Sequence, residues 1–190
     1  MSNRKITTIL PIVFLLGFYF FQYLHSVQHT LRPPSAQSAV SQPSSSQQSS
    51  LIGARTKSAG CTVNGALQDV ACTPGAIIPT ATKDQICVMG YSKSVRNVTS
   101  QEKSQVYQEY GINHHSAGEY EVDHLISLEL GGSNDIANLW PEAAQPAPGF
   151  HEKDGLENYL HAQVCSGAIT LSQAQQEVSS NWLAVYQSMH

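Results

Sequence analysis

The stretch YEVDHLISLELGGSNDIANLWPE, residues 120–142, decides how this chain is read. Tyr120, Val122, Ile126, Leu128 and Leu130 share one parity, and that alternation predicts a strand over 119–130. Packing accounts for the leucines. It does not account for Asp123-His124, a polar pair set side by side within the apolar pattern. Adjacent side chains on a straight strand point to opposite faces, so the pair can share a site only where the strand ends or bulges. Regular pairing is therefore expected to stop at or just after His124. Gly131-Gly132 then permits a tight turn that returns Asn138-Leu139-Trp140-Pro141 toward the strand.

Helices flank this unit. Thr99 and Glu102 have capping-box spacing, and Gly111 suits a left-handed stop, predicting a helix over about 100–110. A second helix is predicted from about His151 to Cys165, with Leu156, Leu160 and Val164 on one face and Ser166-Gly167 closing it. Thr170 and Gln173 open a third, whose stripe of Leu171, Ala174, Val178, Trp182 and Val185 reads as core. Between Cys61 and Asn97 the chain is turn-rich, with Thr73-Pro74-Gly75, Ile78-Pro79 and Met89-Gly90.

The N-terminal third is different. After a stub of residues 1–5 holding Arg4 and Lys5, residues 6–24 carry no charge. Those 19 residues span roughly 28 Å as a helix, close to the apolar thickness of a bilayer. They read as an uncleaved anchor with the C-terminal side periplasmic or extracellular, the alternative being a cleaved signal and a secreted product. Residues 25–59, rich in Ser, Gln and Pro, read as a disordered linker, which leaves 60–190 as the folded domain. Cys61, Cys72, Cys87 and Cys165 are an even set on that outer side, so two disulfides are expected. Three connectivities are possible, and Cys61–Cys72 with Cys87–Cys165 is the favoured one. No C-x-x-C spacing supports a zinc site.

In order, the chain holds Asp123-His124, a Gly-Gly loop, Asn138-Leu139 and then His151-Glu152-Lys153-Asp154. This series resembles the HNH, or His-Me finger, endonucleases, and the wider run from ICVMGYSKSVRNV through HEKDGLENYLHAQVCSG resembles a bacterial exported group of them. The resemblance covers about 60–190. It implies an α+β fold: a small disulfide-braced domain built on a ββα-metal finger, joined here to an N-terminal transmembrane helix. It further implies that His124 is the general base, near pKa 6.5 if unperturbed. Asp123 and His151 would hold one divalent cation, with Mg²⁺ or Mn²⁺ favoured over Ni²⁺ or Zn²⁺. Asn138 would fix the loop and help orient the imidazole. Lys153 would contact substrate phosphate or stand exposed. The implied partner is nucleic acid, DNA ahead of RNA, with the membrane as anchorage and no obligate protein partner.

Charge pulls the other way. Net charge is −4, but from Gly60 onward Lys83, Lys93, Arg96, Lys103 and Lys153 face all fourteen acidic residues, leaving −9. Nucleic-acid binders usually present a basic face. The competing expectation is thus a disulfide-braced binding module that keeps the finger and hydrolyses weakly or not at all.

Overall fold

The computed structural model describes residues 52–189. The apolar run at 6–24 and the linker up to residue 51 lie outside the described residues. Among the described residues, no helix is long and apolar enough to cross a membrane. The ordered unit begins before Gly60: Ile52 packs on the main core, Arg55 pairs with Glu109, and Lys57 Nζ reaches Asp69 Oδ2 at 2.9 Å. Residues 52–59 of the expected linker are thus part of the domain.

The fold is a small mixed α+β arrangement around a two-stranded sheet. Two short helices, α1 (Lys83–Ile86) and α2 (Tyr91–Val95), precede α3 (Ser100–Glu109). Strands β1 (Tyr120–His124) and β2 (Leu139–Ala143) form an antiparallel pair, and α4 (Phe150–Ser166) and α5 (Leu171–Ser188) complete the chain. The three longer helices start and stop as their caps dictate. Thr99 accepts the N–H of Glu102 while the Glu102 carboxylate accepts that of Thr99, and Thr170 and Gln173 repeat the exchange. α5 is interrupted at Asn181, whose φ of −166° is not helical. Its stripe still packs, with Ala174, Val178 and Trp182 fully buried.

The expected strand over 119–130 is shorter than its pattern. β1 ends at His124, where regular pairing was expected to stop, and Leu128–Leu130 form a 3-10 turn. Leu125 and Ile126, which follow β1, are both fully buried. Gly132 makes the turn possible. A Cβ on it would lie 1.8 Å from the carbonyl oxygen of Ile126.

In the sheet, Asp123 pairs with Trp140 and Glu121 with Glu142, so these four share one face, which meets α4. The other face carries Val122 and Leu139 against Val106 of α3. Disulfides join Cys61 to Cys72 and Cys87 to Cys165, at separations of 11 and 78 residues. Loop-entropy arguments give the short one about 3 kcal/mol and the long one about 4.5 kcal/mol.

Replacing Gly132 with Ala should cost about 3 kcal/mol or more, since the clash is with backbone rather than a mobile side chain. A urea midpoint measured with both disulfides intact checks this. A loss of under about 0.5 kcal/mol would mean that the loop yields.

Candidate active site

Asp123 and His124 line one polar cavity of about 160 Å³, together with Arg96, Glu129, Asp154 and Glu157. Three polar side chains on separate elements shape it.

Asn138, fully buried, staples the loop after β1. Its Nδ2 donates to the carbonyls of Ile126 (2.9 Å) and Ser133 (2.8 Å), and its Oδ1 accepts the Ile126 N–H at 2.9 Å. Its backbone carbonyl takes the Leu125 N–H at 2.8 Å. The expected loop-fixing role stands on these bonds, but the side chain bonds the loop backbone rather than the imidazole.

The imidazole is held by Asn134, which the sequence reading did not single out. Asn134 Nδ2 donates to the Val95 carbonyl at 2.8 Å, which turns Oδ1 toward the Asn97 N–H (3.0 Å) and His124 Nε2 (3.2 Å). An amide oxygen only accepts, so Nε2 carries the proton and Nδ1 keeps its lone pair. Nδ1 is buried and has no hydrogen-bond partner. Burial pushes the His124 pKa down to about 4, despite the opposing charge of Asp123. The ring is therefore neutral at pH 7, and further from 6.5 than the sequence alone suggested.

Lys153 is neither a phosphate contact nor an exposed lysine: it is completely buried. From the first turns of α4 its Nζ donates to Asp123 Oδ2 (2.6 Å), to the His124 carbonyl (2.8 Å) and to Glu157 Oε1, with Glu142 Oε2 at 3.9 Å. Burial alone would lower its pKa, but its acidic neighbours, Asp123 first, outweigh that and raise it. Burial would raise the Asp123 carboxyl, yet the charge and hydrogen bond of Lys153 hold it below the usual range. Glu142 is pushed to about 10, by burial first and against the pull of Lys153, so it is a neutral acid at pH 7. Glu157 is also raised by burial. One ammonium thus keeps one carboxylate ionised while its neighbours take up protons.

His151 is exposed on the first turn of α4, its ring 4.3 Å from that of Phe150, and it does not line the cavity. Asp154, three residues on, does. Burial and neighbouring negative charge raise the carboxyls of Asp154 and Glu129, the crowding that a cation relieves. The donors around Asp123 are carboxylate oxygens, which suits a hard divalent ion bound by one or two of them plus water. They form no closed cage. Among the described residues, the three-residue group whose ligand atoms lie within 4.8 Å of one another is Cys87, His161 and Cys165. A sequence signal for the buried charges did exist: Lys153 and Glu157, four apart, run alongside the Leu156–Leu160–Val164 stripe.

No protein-family model, curated protein or solved structure matches this chain.

Lys153→Met should destabilise the domain by about 3 kcal/mol, because Asp123 would then be a charge held in the interior without its partner. Urea unfolding of the variant against wild type at pH 7 checks this, and a neutral outcome would mean that water reaches the cluster.

Proposed function

We propose that this domain is a metal-dependent endonuclease of HNH type, hydrolysing phosphodiester bonds of DNA, with RNA within reach of the same chemistry. The observation that carries the reading is His124. It is neutral, its tautomer is set by Asn134, its buried Nδ1 has no hydrogen-bond partner, and the residue lines an acidic cavity together with Asp123. In this reading, Nδ1 takes the proton from the attacking water. Arg96, the cationic residue lining the cavity, draws the scissile phosphate in. Lys153 keeps Asp123 ionised and pins the His124 carbonyl, so the base and the carboxylate hold their relative positions. A divalent cation held by Asp123 with Asp154, in the part first given to His151, would supply neutralisation of the charge developing on phosphate and leaving oxygen.

The two disulfides support placement outside the cytoplasm, where such bonds persist. The acidic balance of the domain, −9 from Gly60 onward and −7 once Arg55 and Lys57 are included, favours a second reading, a binding module without turnover. Cation and phosphate act on each other locally, so weak long-range attraction lowers affinity without removing the chemistry.

Nicking of supercoiled plasmid with added Mg²⁺ or Mn²⁺ separates the two readings. His124→Ala should lower the rate by about 10²- to 10⁴-fold with the fold unchanged by circular dichroism. The acid limb of the wild-type profile should lie at about pH 4, with activity lost as pH falls and the imidazole gains its proton. Wild-type protein that nicks nothing across pH, salt and metal would leave the binding module.

A further inference from the structure

We propose that Cys87, Cys165 and His161 form a redox-gated zinc site, a disulfide when oxidised and a Cys₂His metal centre when reduced. The inference is independent of the nuclease reading.

The geometry comes from two elements. His161 and Cys165 lie four residues apart on α4 and so share a face, while Cys87 caps the C-terminal end of α1. The ligand atoms of all three lie within 4.8 Å of one another, and all three residues are partly exposed, open to a reductant and an ion. His161 Nε2 lies 3.4 Å from Cys165 Sγ. Tetrahedral zinc with its usual bond lengths sets a nitrogen–sulfur separation of about 3.5 Å, so this edge of the site already exists. The sulfur pair must open to about 3.8 Å, a side-chain rotation rather than a helix movement. Buried Ile86, Leu160 and Val164 belong to one core cluster and keep α1 against α4 whether or not the bond is closed.

The other ring nitrogen is provided for. His161 Nε2 now donates to the Ile86 carbonyl at 3.0 Å, and Glu129 Oε2 lies 3.9 Å from Nδ1. When Nε2 binds metal, the proton moves to Nδ1 and is presented to Glu129, the carboxylate–histidine–metal arrangement that orients zinc-bound imidazoles. A structural staple needs none of these features.

A dithiol reductant gives two electrons and two protons to the Cys87–Cys165 bond, the sulfurs separate as thiols, and the reductant closes to its own disulfide. One Zn²⁺ then binds both sulfurs as thiolates with Nε2, releasing the two thiol protons to water.

Cobalt titration of the purified full chain tests this, with Co²⁺ as spectroscopic probe and a phosphine as reductant. Cys61→Ser/Cys72→Ser chain, which lacks the other two thiols, should when reduced bind one Co²⁺ with a sulfur-to-cobalt charge-transfer band, displaced by Zn²⁺. Oxidised chain should show no band, and His161→Ala should weaken cobalt binding at least tenfold. Circular dichroism of the reduced chain, recorded alongside, reports whether the helices persist. The proposal is overturned by an absent band with the helices intact or lost, by the same band in oxidised chain, or by undiminished binding in His161→Ala.

Discussion

A fully buried ammonium must find its hydrogen-bond acceptors inside the protein, and Lys153 finds them on β1 and on its own helix, with Glu142 of β2 3.9 Å away. That demand sets how deep α4 sits against the hairpin and which way Asp123 turns. Asp123 commits Oδ2 inward to Nζ while the residue still lines the cavity, so the same carboxylate belongs to core and site at once. The bond to the His124 carbonyl ties the adjacent residue to the same centre. Fold and candidate chemistry are coupled through one side chain.

The two asparagines divide the remaining work. Asn138 supplies the loop after β1 with the backbone hydrogen bonds that a continued strand would have provided. Asn134 fixes the imidazole, and its own orientation is fixed by backbone groups of residues 95 and 97. A neutral, oriented imidazole is thereby set next in sequence to an ionised carboxylate. Its low pKa keeps the ring unprotonated over a wide pH range.

The long disulfide joins α1 to α4 beside His161, whose Glu129 neighbour also lines the cavity. The domain thus has a sulfur-based brace near the C-terminal end of α4 and a charge-based one near its N-terminal end. Both restrain the same helix, the one that contributes Asp154 and Glu157 to the cavity.

By itself the sequence determined the helices with capping boxes at Thr99 and Thr170 and the Gly167 stop of α4, and among three possible cysteine pairings it favoured the one the structure shows. These rest on hydrogen bonds spanning three or four residues, or on loop closures that spacing makes readable. The end of β1 at His124 was also legible, from the need of Asp123 and His124 to share a site, although the apolar parity beyond it suggested a longer strand. Only the tertiary structure decided that Lys153 lies inside, that Asn134 rather than Asn138 holds the ring, and that Asp154 rather than His151 reaches the cavity. Those outcomes depend on the rotation of α4 against the hairpin and on contacts between residues 10 to 39 positions apart. Local periodicity carries no information about partners at that range, because burying a charge or orienting an imidazole depends on what the rest of the fold brings next to it.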